Sequence, residues 1–100
     1  MTAGSVTLIN PFEVPAGRED EALAMWDRVA AYMRGRPGFV ATRLHRAVSP
    51  GARFALVNIA EWASAEAFLM ATASEEFGEL TAGSQERFPH YPGLYRLVRS

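Results

Sequence analysis

The stretch from Arg53 to Phe68, RFALVNIAEWASAEAF, constrains this chain more than any other. Its first half is strongly apolar and partly β-branched through Phe54, Leu56, Val57 and Ile59, the mark of a buried strand. Its second half turns helical at Ser64, a good N-cap residue before an alanine-rich run. Two residues break the apolar pattern: Asn58 in mid-strand and Trp62 at its end. Strand side chains alternate with a period of two, so Asn58 and Trp62 share a face with Phe54, Leu56 and Ala60. An amide and an indole N–H among apolar neighbours can form a small hydrogen-bonding site in a dry pocket.

One hundred residues is the length of a single domain, 1–100, and leaves no room for a second core. The chain is 49% hydrophobic with a net charge of -1, which describes an ordinary globular protein rather than a disordered one. Mixed charges offer no electrostatic footprint for nucleic acid or an anionic membrane. All basic residues are arginine, so no lysine is present for Schiff-base chemistry. The absence of cysteine excludes disulfides, thiolate nucleophiles and cysteine-ligated metals. No run is apolar enough for a membrane span, and the N-terminus does not read as a signal peptide, so a cytoplasmic location is expected.

Around this stretch the remaining elements fall in order. Val6 to Val14 predicts a first strand with Val6, Leu8 and Asn10 on one face, interrupted by Pro11. After the turn Pro15-Ala16-Gly17, an acidic first turn opens a helix in which Ala22, Trp26, Val29 and Met33 recur at helical spacing. Arg34-Gly35-Arg36-Pro37-Gly38 ends it. Phe39–Val48 and Arg53–Trp62 predict a hairpin about Pro50-Gly51, Ser64–Ala71 a short helix, Ser74 the cap of another, and Leu94–Val98 a last strand.

The order β-α-β-β-α-β is that of ferredoxin-like α+β folds with an antiparallel sheet. Here the first and third strands are expected as parallel neighbours at its centre, with both helices on one face. Thr7, Ile9, Val57 and Ile59 then make the other face apolar enough to predict a homodimer packed sheet to sheet, a dimeric α+β barrel.

A tight hairpin at Pro50-Gly51 pairs residues whose numbers sum to about 101. That register sets Arg43 opposite Asn58 and His45 opposite Leu56, with Asn10 pointing to the same side. The candidate constellation is Asn10, Arg43, His45, Asn58 and Trp62, lined by Phe54 and Leu56. A slip of one residue sends Arg43 and His45 to the opposite face. Each member also has a plainer role. The asparagine can satisfy nearby backbone, Trp62 can be core, His45 can be structural or interfacial, and Arg43 can pair with a partner's carboxylate. His90, between Pro89 and Tyr91, has the weaker claim of the two histidines, and the tyrosines read as packing residues. No metal-ligand spacing, phosphate loop or nucleophile elbow occurs.

LVNIAEWASAEAF resembles the strand-to-helix segment of the antibiotic biosynthesis monooxygenase superfamily of small dimeric α+β barrel proteins. NPFEVPAGREDEALAMW and the PGF…LHR segment from Pro37 to Arg46 fit the same pattern, so the likeness spans nearly the whole chain. The Asn-x-x-x-Trp-x-Ser spacing is its most specific part.

The resemblance implies a cofactor-free oxygenase of small aromatic, anthrone-type polyketides. Dioxygen is the co-substrate, and Asn58 and Trp62 hold the substrate carbonyl or its enolate. It implies His45 as an aid to proton transfer. A tyrosine found after the tryptophan in some members is Phe68 here. A heme-degrading branch uses a first-strand asparagine, matched by Asn10, the same tryptophan, and an axial histidine on the later helix. Gly78-Glu79-Leu80-Thr81 supplies no such histidine, which makes heme the weaker expectation. A third expectation is a non-catalytic ligand-binding dimer, with the pocket filled by Phe54, Met70 and Phe77.

Overall fold

The computed structural model describes residues 4–100. Strand β1 (Val6–Phe12) leads into helix α1 (Glu19–Arg34), followed by the hairpin β2 (Phe39–Arg46) and β3 (Leu56–Trp62). Helices α2 (Ala65–Thr72), α3 (Glu75–Leu80) and α4 (Ser84–Arg87) precede a short β4 (Gly93–Tyr95). The sheet order is β2-β3-β1-β4 and every pairing is antiparallel. This is the α+β ferredoxin-like arrangement. The expected parallel pairing of β1 with β3 is corrected: the α1 crossover returns β2 in the direction of β1, and the hairpin then reverses β3 between them.

Local chemistry sets the boundaries. Glu19, Asp20 and Glu21 occupy the first turn of α1 and Arg34 the last, each matched to the helix dipole. Arg18 and Glu21 form a bidentate pair (3.1 and 2.7 Å) that raises the guanidinium pKa and lowers that of the carboxyl, mainly through the hydrogen bonds. Ser64 caps α2 by accepting from Ala67 N (3.1 Å), and Ser74 caps α3 by accepting from Phe77 N (3.0 Å). The β4 strand is shorter than the predicted Leu94–Val98, and Leu97 and Val98 are exposed.

Val6, Leu8, Asn10 and Phe12 of β1 lie opposite Trp62, Ala60, Asn58 and Leu56 of β3, all toward the helices. Pro11 does not interrupt this ladder, since it pairs with Val57. The interruption falls on the other edge, where pairing with β4 ends at Ile9 and a single bridge, Phe12 to His90, follows.

Buried apolar clusters form at two places between sheet and helices. One gathers Val6, Leu8, Tyr32, Met33, Ala60, Trp62 and Ala71. The other gathers Phe12, Ala22, Met25, Leu56 and Phe88. The Tyr32 hydroxyl donates to Ala71 O (2.8 Å) and meets Ser74 Oγ (2.5 Å), which fastens α1 to the α2–α3 junction.

The hairpin departs from the expected register. Phe39 pairs with Trp62 as expected, but the register shifts between Phe39 and Ala41, so that Leu44 faces Asn58, Arg43 faces Ile59 and His45 faces Val57. Val40 is the extra residue of this bulge and points to solvent. At the far end the ladder closes with Ala47 N donating to Ala55 O (2.9 Å), and the loop carries Gly51 at φ 75°. The wider loop absorbs the shift that a two-residue turn could not.

Gly38, just before β2, holds φ +85°, and a Cβ there would lie 2.4 Å from Ala67 Cβ. Its carbonyl accepts from Ala63 N at 2.7 Å, which ties the start of β2 to the turn between β3 and α2. Gly38→Ala combines a left-handed backbone with overpacking, a cost of about 2–4 kcal/mol. Its melting temperature is expected to fall by roughly 10 °C or more in calorimetry. A melt within a few degrees of the parent would contradict the close approach.

Candidate active site

Between the sheet and the helices lies a cavity of about 400 Å³. Its floor is the helix-facing side of β1, β2 and β3, and its walls include Met25, Trp26, Phe68 and Phe77. Among the described residues, no carboxylate and no arginine lines it. Thr72 and Thr81 reach the helical wall, but their hydroxyls donate back to helical carbonyls, Thr72 to Phe68 O (3.1 Å) and Thr81 to Phe77 O (2.8 Å). The remaining polar lining comes from Asn10, Thr42 and Asn58 on the sheet and from Ser84, Gln85 and His90 in the C-terminal segment.

Asn58 is a direct cross-strand partner of Asn10, and both side chains reach the cavity. Thr42 Oγ1 donates to Asn58 Oδ1 at 2.7 Å. With its oxygen engaged, the Asn58 amide offers its N–H donors to the cavity. Asn10 Oδ1 is buried without a hydrogen-bond partner. A buried acceptor left unpaired carries a desolvation penalty of about 1–3 kcal/mol, so this oxygen is suited to meet a donor on a ligand. The two amides thus present a donor and an acceptor side by side.

Trp62 is 1% exposed and is held edge-on by Phe39 (centroids 5.4 Å apart, 90°) and Phe68 (5.5 Å, 79°). Phe39 reaches it because the bulge comes after Phe39 rather than before it.

Of the residues expected at the site, Asn10, Asn58 and Trp62 converge on the cavity. Arg43 and His45 do not, because the bulge turns both to the open face of the sheet, where they are exposed. Phe54 lies before β3 and stacks on Tyr91 (5.8 Å, 73°) beneath Arg53. Leu56 is buried in the second cluster, away from the cavity lining.

Two further residues line the cavity: Thr42, which sequence reasoning missed, and His90, which it ranked below His45. Thr42 takes the inward position expected for Arg43, and only a register shift visible in three dimensions puts it there. His90 lines the cavity from the C-terminal segment. Its one legible signal is its setting in Pro89-His90-Tyr91-Pro92, a stiff extended run. That segment is pinned to the end of β1 by Glu13 N to Pro89 O (2.8 Å) and Tyr91 N to Pro11 O (3.1 Å). Tyr91 also donates its hydroxyl to Glu13 Oε2 (2.7 Å), and this bond, with desolvation, raises the phenol pKa.

Comparison with known proteins places these features. A family model described as antibiotic biosynthesis monooxygenase matches residues 5–82. The chain belongs to that family. Among solved structures it resembles a candidate monooxygenase from Shewanella loihica PV-4, with 33% identity over 100% of both chains and a TM-score of 0.83. It also resembles SnoaB, a cofactor-independent oxygenase from Streptomyces nogalater, with 30% identity over 98% of this chain and 97% of that one, TM-score 0.84. A candidate antibiotic biosynthesis monooxygenase from Bordetella bronchiseptica shares the fold, with 20% identity over 96% and 99% of the two chains and a TM-score of 0.78. No curated protein matches significantly in sequence.

The axial histidine that the heme-degrading branch carries on the later helix has no counterpart in α3. No group of three or more metal-ligating side chains occurs among the described residues, and no described helix is long and apolar enough to cross a membrane.

The two polar partners on the sheet have opposite expected effects on stability. Thr42→Val strands Asn58 Oδ1 and should destabilise by about 1–3 kcal/mol. Asn10→Leu removes the orphaned acceptor and should stabilise by about 1 kcal/mol, seen as a rise of a few degrees in the thermal midpoint. Destabilisation by Asn10→Leu would show that Asn10 serves the fold.

Proposed function

We propose that this chain, acting as one domain, is a cofactor-independent monooxygenase that oxidises a small aromatic ketone of the anthrone type to a quinone with dioxygen. The observation that carries the reading is the Asn10–Asn58 pair, an unpaired buried acceptor beside an oriented donor, on the floor of a largely apolar cavity. The likeness to SnoaB supports the same chemistry. The cavity also argues against a filled, non-catalytic core. Phe77 only lines it, Phe54 lies outside it, and Met70 is 77% exposed.

Anthrones carry a benzylic C–H acidified by the ketone, and deprotonation moves the electron pair into an aromatic enolate. Donors fixed toward the ketone oxygen stabilise that charge more in the transition state than in the ground state. Asn58 supplies such a donor, and the indole N–H of Trp62 stands on the same face. Asn10 Oδ1 suits a phenolic hydroxyl flanking the ketone. The electron-rich enolate reduces dioxygen directly. A C–O bond forms to give a peroxide, and loss of water leaves the second carbonyl, so CH2 and O2 become C=O and H2O.

Metal-free protein is expected to consume one dioxygen per anthrone converted, followed with an oxygen electrode. Asn58→Ala should lower kcat by about 100-fold, the usual cost of removing one oxyanion donor. Unchanged rates in Asn58→Ala and Trp62→Phe would rule out this mechanism.

A homodimer belongs to this proposal. The open sheet face carries Ile9 and Ile59 directly opposite each other, at 36% and 38% exposure, flanked by Val57 and Tyr95. Sedimentation at micromolar concentration should give twice the monomer mass, and Ile59→Glu should halve it. A monomeric parent would refute the assembly.

A further inference from the structure

We infer that His90 is the general base of this site, taking the acidic proton of the bound ketone at Nε2; this deepens the reading above and rests on it. Among the described residues lining the cavity, His90 alone carries an imidazole, a ring whose second nitrogen can accept a proton. The others are apolar, hydroxyl, amide or indole groups.

Its placement follows from backbone pairing. His90 bridges Phe12 in antiparallel fashion, and directly opposed residues send their side chains to the same face. Phe12 points toward the helices, and the imidazole lies with it, ring centroids 5.0 Å apart. Asn10 stands two residues along β1 on that same face. His90 therefore shares one cavity with both amides.

The tautomer follows from the partner of Nδ1. That atom lies 2.8 Å from Phe88 O, and a carbonyl oxygen only accepts, so Nδ1 carries the hydrogen. In the neutral ring Nε2 then holds the lone pair. When Nε2 takes a proton, the Nδ1–H bond to Phe88 O remains and strengthens, because its donor is now cationic. The same carbonyl thus orients the base in both of its states.

The proton balance closes within the site. Nε2 removes one proton from the benzylic carbon, whose C–H electron pair enters the enolate steadied by Asn58. After dioxygen adds, the imidazolium returns that proton to the peroxide anion. Nε2 then takes the second proton from the same carbon. The C–H pair forms the new C=O as the O–O bond breaks, and the departing hydroxide leaves as water with that proton. Carbon is the group oxidised, dioxygen the group reduced, and the histidine is regenerated.

The test uses the full-length protein with anthrone itself, first without oxygen and then with it. Anaerobically, the parent protein should convert bound anthrone to its anion, visible as a red-shifted absorbance band. His90→Gln should bind anthrone with similar affinity yet leave it as the ketone. In air, kcat of His90→Gln should fall by about 100-fold or more with KM little changed. Added imidazole should restore part of the rate to His90→Ala, a rescue that a purely structural role would not produce. Ionisation and turnover undiminished in His90→Gln would overturn the role of His90 while leaving the proposed function standing. Loss of anthrone binding in both variants without imidazole rescue would also overturn it. Failure of the parent protein to bind anthrone would overturn both readings together.

Discussion

Everything at the site depends on the register between β1 and β3. Because Val6 meets Trp62, every second pair down the ladder faces the helices, and the fifth pair sets Asn10 against Asn58. Two amides opposed at the centre of a sheet make a poor core, since neither is needed for the ladder and one acceptor stays unpaired. A shift of one residue turns the slipped strand over, sending its amide to the open face and bringing Ile9 of β1, or Val57 and Ile59 of β3, inside. It would also bring in Thr7 or the carboxylate of Glu61. It is disfavoured because Leu8 and Phe12, or Leu56, Ala60 and Trp62, would leave the helices along with the amide.

Much of this was legible in the sequence because period-two patterning survives wherever a strand is regular. Val6, Leu8 and Asn10 share a face as read, and so do Leu56, Asn58, Ala60 and Trp62. Ser64 and Ser74 are caps as read, because a hydroxyl before a helical run has a local partner. Patterning fails where one residue is inserted. Up to Phe39 the expected register of β2 holds; Val40 then bulges, and Arg43 and His45 exchange faces with Thr42 and Leu44. Nothing in VATRLHR marks the bulge, since its cause is the packing of Phe39 on Trp62 and of Gly38 on Ala67, both distant in sequence. His90 was passed over for a related reason. Its role arises from one bridge to a strand 78 positions earlier, which no local pattern encodes.

The bulge also decides the electrostatics of the cavity. With the straight register an arginine would stand opposite Asn58 and a histidine next to it. A guanidinium in a cavity of this kind would hold a substrate anion by charge at every stage, ground state included. With the bulge, Thr42 takes an inward position and uses its one proton to orient the Asn58 amide. A neutral donor gains most of its interaction only as charge develops on the substrate oxygen, and in dry surroundings that gain is large. Moving the arginine out thus converts a binding site for anions into one suited to making them.

The C-terminal segment completes this design from outside the part of the chain that matches the family, which ends at residue 82. Prolines at 89 and 92 stiffen it, two backbone hydrogen bonds join it to β1, and Tyr91 ties it to Glu13 beneath Arg53. These contacts hold His90 at the same end of the cavity as Phe12 and fix which ring nitrogen carries the hydrogen. In the proposed reaction, the donor that receives negative charge therefore belongs to the family-matched sheet, while the group that takes the proton belongs to a segment beyond it. Substitution in residues 88–92 can consequently change how protons are handled without disturbing the register that positions Asn10 and Asn58.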